Sequence, residues 1–143
     1  MRLVALDIGE RRIGIAMSES GILAAPHSVL QRRSKKEDFA KLQRILTDLK
    51  IERVIVGIPY SIDSHEMGPQ ARRVLRYAEA LAKTVNVPFE YFDESYSTVD
   101  AAAYLSSSRQ KKIPLDAAAA AVILQNYLDT MNSTATVSPQ VHE

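Results

Sequence analysis

The stretch from Met1 to Met17 limits the possible folds of this chain more than any other. Leu3-Val4-Ala5-Leu6 is an unbroken apolar run, Asp7-Ile8-Gly9 follows it, and the charged turn Glu10-Arg11-Arg12 leads into a second apolar run from Ile13 to Met17. Short apolar runs flanking a polar turn predict two strands joined as a hairpin. A strand that is apolar at consecutive positions is buried on both faces, so the first strand is expected at the centre of a sheet. Asp7 closes that strand at the rim of the core, where a carboxylate without a partner is costly to desolvate. Gly9 leaves room for another backbone, a phosphate or a metal-bound ligand to come close. Taken alone, Asp7 is equally well read as a turn residue. Arg11, Arg12 and Gly14 at fixed offsets shift the balance toward a functional hairpin.

This Asp-x-Gly hairpin resembles two superfamilies. One is the first phosphate loop of the sugar kinase, actin and Hsp70 group; the other is the first strand pair of ribonuclease H-like nucleases. The former clasp a nucleotide between two such domains, whereas 143 residues make roughly one domain. The ribonuclease H-like reading therefore leads.

At 46% hydrophobic and 24% charged residues the chain can bury one core and stay soluble. It has no cysteine, which excludes disulfides and thiolate metal sites and fits a cytoplasmic location. The first strand begins within two residues of Met1 with no signal-peptide pattern before it, and no apolar run approaches the roughly 18 residues of a membrane span, so no membrane partner is expected. A net charge of only +1 does not announce a nucleic-acid partner. The local clusters say more: Arg11-Arg12, Arg32-Arg33 with Lys35-Lys36, Arg72-Arg73 with Arg76, and Arg109 with Lys111-Lys112. Each is ordinarily a solvated face. Brought together by the fold, they would form a surface that tracks phosphates.

Beyond the hairpin, Ile22 to Leu30 reads as a third strand that Pro26 makes irregular or confines to an edge. Ser34 with Glu37 is a capping box opening a helix, in which Phe39, Leu42, Leu46 and Leu49 share one face. Val54-Ile55-Val56 is a short buried strand, and Tyr60 to Gly68 is a polar loop. Pro69 suits the first turn of a second helix, striped by Ala71, Val74, Leu75, Ala78, Leu81, Ala82 and Val85. Val87 to Phe92 is a fifth strand, ending in Asp93-Glu94. A short helix is expected from Ser97 to about Leu105, then a basic loop from Ser106 to Pro114. Asp116 opens a last helix whose run Ala117 to Ala121 permits close approach to the sheet. Asn132 to Glu143 lacks periodicity and reads as a loose tail, leaving 1–131 as one domain. A meander followed by strand-helix-strand crossovers gives an α/β fold, a five-stranded mixed sheet with helices on both faces. That is the layout of the ribonuclease H-like fold.

Asp7, Glu94 and Asp116 fall at element ends that this layout brings to one edge. Clustered carboxylates are tolerated when divalent cations offset their charge, and Mg²⁺ favours oxygen ligands. Two such ions roughly 4 Å apart can activate water and stabilise the leaving oxygen of a phosphodiester. Each acid has a plainer reading. Asp116 can cap its helix, and Glu94 can be a surface residue with Asp93 turned inward, since alternation sends the pair to opposite faces. His65 sits in a polar loop, where histidine is ordinarily solvated, and His27 and His142 carry no pattern.

The blocks Asp7-Ile-Gly-Glu-Arg-Arg-Ile-Gly-Ile-Ala16, Val56-Gly-Ile-Pro59, Asp93-Glu-Ser-Tyr-Ser-Thr98 and Asp116 with its alanine-rich helix occur in this order. Together they resemble the YqgF/RuvX family of ribonuclease H-like proteins, described as Holliday junction resolvases or as nucleases maturing the precursor of small-subunit ribosomal RNA. The resemblance implies that Asp7, Glu94 and Asp116 are catalytic acids binding Mg²⁺ or Mn²⁺. Arg11, Arg12 and Lys112 would then orient a nucleic-acid backbone. Two positions depart from the family pattern. Ser95 stands where arginine usually follows the Asp-Glu pair, and Ser64 stands where glycine usually follows the loop aspartate; both bear on substrate contacts. The expected function is metal-dependent phosphodiester hydrolysis in precursor 16S rRNA processing, in branched-DNA resolution, or in both. The competing expectation is a noncatalytic nucleic-acid-binding or ribosome-assembly module that keeps the fold. A homodimer would suit symmetric cutting of a junction.

Overall fold

The computed structural model describes residues 1–59, 67–93 and 114–141, with residues 133–141 as backbone only. Most of the polar loop expected from Tyr60, the short helix expected from Ser97, most of the basic loop that follows it, and the residues Glu94 and Lys112 lie outside the described residues.

The element order is β1 (Leu3–Ile8), β2 (Arg12–Ser18), β3 (Ala25–Gln31), α1 (Lys35–Asp48), β4 (Arg53–Ile58), α2 (Pro69–Ala82), β5 (Phe89–Asp93) and α3 (Leu115–Val141). The sheet runs β3-β2-β1-β4-β5, so the first strand is its middle member, as its apolar run predicts. β1 pairs antiparallel with β2 and parallel with β4, and β5 joins β4 in parallel. β3 takes the outer position beside β2, and its register shifts where Pro26 faces Ala16. Proline has no backbone N–H for the ladder, which accounts for both the edge position and the shift.

Strand alternation sorts β1 between two layers. Val4, Leu6 and Ile8 pack with Val54, Val56 and Ile58 of β4 under α1 and α2, where Leu42, Leu46, Val74, Ala78 and Leu81 meet them. Leu3 and Ala5 pack on the other face with Ile55, Ala16 and the α3 residues Ala120, Ile123, Leu124 and Tyr127. Helices therefore cover both faces. No helix among the described residues is long and apolar enough to cross a membrane.

Local chemistry sets the element ends. The Ser34 hydroxyl accepts from the backbone N–H of Glu37 at 3.2 Å, an N-cap for α1. Pro69 occupies the first turn of α2, where its missing N–H is no loss. α3 differs from expectation at its far end. The backbone stays helical to Val141, where the sequence reading has a loose tail from Asn132. A helix already nucleated extends at one hydrogen bond per added residue, so propagation needs no periodic apolar stripe.

Asp38, only 1% exposed, ties the two helices of one layer together. Its carboxylate accepts from the Arg33 backbone N–H at 3.0 Å and from the Tyr77 hydroxyl at 3.1 Å. Burial, and secondly the Asp38 charge, push the Tyr77 phenol well above its ordinary value, so it stays a donor. Phe39 meets the Tyr77 ring edge-on at 5.1 Å. Tyr77→Phe removes the donor and leaves a buried carboxylate oxygen underserved. We expect a loss of about 1–3 kcal/mol in urea unfolding with an unchanged slope. An unaltered midpoint would show that Asp38 finds its second donor elsewhere.

Candidate functional site at the end of the first hairpin

The β1–β2 turn is closed by the Gly9 N–H donating to the Arg12 carbonyl at 2.9 Å. A Cβ on Gly9 would stand 2.8 Å from that same carbonyl, so the room left by this glycine is filled by the chain's own backbone. Of the three approaches the sequence leaves open at Gly9, the first is the one observed.

Asp7 lies on the α3 face of β1, following Leu3 and Ala5 in alternation. Its register partner on β2 is Gly14. The first turn of α3 rests on Gly14 so closely that a Cβ there would overlap the backbone carbonyl of Asp116. Adjacent strands are about 4.8 Å apart, so Asp7 and Asp116 belong to one small neighbourhood. The alanines Ala117 to Ala121, all buried, let the helix axis come this near.

The Asp116 carboxylate is engaged by Arg12, whose Nε donates to it at 2.8 Å. Asp116 sits one residue inside α3, and its side chain turns to Arg12. The plainer reading of Asp116 as a cap is thereby set aside, although an acid in the first helical turn also suits the helix dipole. Arg12 and Asp116 are 52% and 36% exposed, so their pairing adds little to stability. Its effect is to hold one carboxylate in a fixed place beside a cation. Gly9, Glu10, Arg11, Arg12 and Asp116 enclose a cavity of about 310 Å³.

The third expected acid is Glu94, with Asp93 as the alternative. Glu90 and Phe92 lie on the α3 side of β5: Phe92 meets Tyr127 edge-on at 5.9 Å, and Glu90 lies 3.9 Å from Arg53, which donates to the Tyr127 hydroxyl. Alternation then assigns Asp93 to the opposite face from Asp7. Among the described residues, no group of three or more metal-ligating side chains forms. The structure thus brings together Asp7, Asp116, Arg11 and Arg12 of the expected set, while Glu94 and Lys112 lie outside the described residues. Sequence reasoning missed the Arg12–Asp116 pair, because its members are 104 residues apart. It also missed that Gly14 is the seat of α3; a glycine inside an apolar strand was the available signal.

A mixed sheet ordered 3-2-1-4-5, covered on both faces and carrying an acid at the end of its central strand, defines a ribonuclease H-like domain. A structure described as "T. thermophilus RuvC in complex with Holliday junction substrate" shares this fold, with a TM-score of 0.62 at 19% identity over 94% of this chain and 98% of that one. The family model for RuvX, described as Holliday junction resolvase, matches residues 1–130, and the chain belongs to that family. A relative from Thermoanaerobacter pseudethanolicus is 34% identical over 140 residues, covering 93% of this chain and 99% of the relative. One from Anaeromyxobacter sp. is 39% identical over 134 residues, covering 90% and 97%. Both carry the name "Putative pre-16S rRNA nuclease".

Gly14→Ala tests the seat of α3. The added methyl meets backbone, which cannot rotate away, so the helix must shift off β2. Overpacking of this kind costs about 1–3 kcal/mol or more, and thermal unfolding should show the melting temperature falling by several degrees. A variant with the parental melting temperature would mean that α3 is not held at Gly14.

Proposed function

We propose that this protein is a divalent-metal-dependent nuclease that hydrolyses phosphodiester bonds. Its RNA substrate would be the 5′ end of precursor 16S rRNA, and branched DNA would be a second. The names carried by the relatives and the family support the substrate classes. The carrying observation is that Asp7 pairs in the ladder with Gly14, on which the backbone of Asp116, far along the sequence, is seated.

In this reading Asp7, Asp116 and Glu94 are the metal-binding acids. Members of this resolvase family depend on divalent metal, and an all-carboxylate donor set with no histidine or cysteine fits a hard ion, Mg²⁺ or Mn²⁺. When bound, the metal supplies an activated water and stabilises charge on the leaving oxygen. The chain's own residues do the rest. The strand ladder fixes the backbone of Asp7 opposite Gly14, the residue on which α3 is seated. Arg12 keeps the Asp116 carboxylate oriented when no metal is bound and, with Arg11 and Lys112, meets the phosphate backbone. Asp93, on the opposite face, is left out, so Glu94 is the acid to substitute.

Residues 1–131 form the nuclease domain in this proposal, acting in the cytoplasm where ribosomal precursors and chromosomal junctions are found. Paired copies related by a two-fold axis would suit the symmetry of a junction.

Asp7→Asn is the test. Asparagine keeps the shape and one oxygen ligand but loses the charge that a hard cation needs. Cleavage of a labelled 16S precursor and of a four-way DNA junction, with Mg²⁺ and with Mn²⁺, should fall roughly a hundredfold or more. Metal-free binding and melting temperature should change little. Undiminished cleavage by a folded Asp7→Asn protein would sink the assignment. A parental chain that binds both substrates and cuts neither would identify the noncatalytic module instead.

A further inference from the structure

We propose that the cavity on the α1–α2 side of the β1–β2 turn is a second nucleic-acid site, one that binds backbone phosphates of the strand flanking the cleavage position. The identity of the polymer rests on the nuclease reading above; the anion chemistry of the cavity does not. The cavity has a volume of about 520 Å³, and its lining includes Arg32, Lys35, Arg73 and Arg76, with Glu10 as the one carboxylate among the described residues. In sequence these cations belong to two separate basic runs. The fold joins them by laying the start of α1 beside the first half of α2.

The four cations are not equivalent. Arg32 donates to the Gly9 carbonyl at 2.6 Å and lies over the Tyr77 ring at 4.3 Å, so it braces the turn. Arg73 stands 3.7 Å from the Glu10 carboxylate, and both are well exposed, which makes the pair weak and exchangeable. A phosphate oxygen satisfies an arginine as a carboxylate does, so Glu10 holds the place that a backbone phosphate would take. Lys35 and Arg76 have no ion pair among the described residues.

Two further observations specify the ligand. Tyr77, the one aromatic ring among the described lining residues, is 3% exposed and covered by Arg32, so these residues offer no platform for base stacking. What it presents is charge for phosphate, without sequence preference. Gly9 and Glu10 also line the smaller cavity that holds Arg11, Arg12 and Asp116. A strand leaving the candidate catalytic edge therefore has only the turn to cross before reaching the basic cavity.

The experiment measures metal-free affinity of the full chain for two fluorescent probes, a four-way DNA junction and an RNA hairpin with single-stranded flanks, over a range of salt. Lys35→Gln, Arg73→Gln and Arg76→Gln should each weaken binding several-fold, with the salt slope reduced by about one. Arg44→Gln, which removes the same charge from an exposed position on α1 outside the cavity, should leave affinity within twofold. Glu10→Gln should tighten binding, a gain that misfolding cannot produce. Equal losses in the cavity variants and in Arg44→Gln, or no binding of either probe by the parental chain, would overturn the proposal. Displacement of the probes by equimolar adenosine monophosphate would overturn it too, in favour of a mononucleotide site. Cleavage of the same probes by the parental chain with Mg²⁺ or Mn²⁺ is read separately. Binding that depends on the cavity without any cleavage would leave this site standing and remove the nuclease reading.

Discussion

The first turn of α3 sits directly on Gly14, and the geometry of the hairpin edge follows from that contact. A side chain at this position would lift the helix by the thickness of a methyl group, and Asp116 would leave the vicinity of Asp7. The close seat is backbone against backbone, made wide enough by Gly14 on the strand and by Ala117 to Ala121 on the helix. Such a joint has few rotamers to freeze, so little entropy opposes it. It also transfers the rigidity of a five-stranded sheet to a carboxylate that belongs to a helix.

The central strand serves two environments at once. Its even-numbered residues Val4, Leu6 and Ile8 are committed to the α1–α2 layer, and its odd-numbered residues Leu3, Ala5 and Asp7 face α3. The same division continues past the end of the strand. Asp7 and Asp116 lie on the α3 side, while Arg32, Lys35, Arg73 and Arg76 gather on the other. A sheet one residue thick thereby keeps strongly attracting charges from collapsing onto one another. At this edge the two signs meet in the Arg12–Asp116 pair and, more loosely, in Arg73 with Glu10.

Much of this was legible in the sequence, for reasons that differ from element to element. The unbroken run Leu3 to Leu6 gives the central strand, Ser34 with Glu37 gives the start of α1, and Pro26 gives the irregular edge, because each signal is local and steric. The alanine run announces a close helix without naming its seat, since the partner glycine lies far upstream. That Asp93 faces away from Asp7 needed one long-range fact, the packing of Phe92 against Tyr127 on the α3 side. The convergence of two basic runs into one cavity was likewise beyond sequence reading, because it depends on how α1 and α2 lie together. That helical backbone continues past Asn132 carries no periodic signal, because a helix end is set by propagation as much as by pattern.

The contact between Arg12 and Asp116 spans 104 residues, and this has a bearing on the order of events during synthesis. Chains emerge from the ribosome N-terminus first, at about 5–20 residues per second. The hairpin with Asp7 is among the first parts to appear, and all five strands are out once Asp93 has been made. At that moment the residues of every strand have been made, and Asp116 has not. Asp116 follows 23 residues after Asp93, about 1–5 seconds later at that rate. Only a chain that has reached α3 can have both acids at its edge, and only then is the second face of the sheet covered.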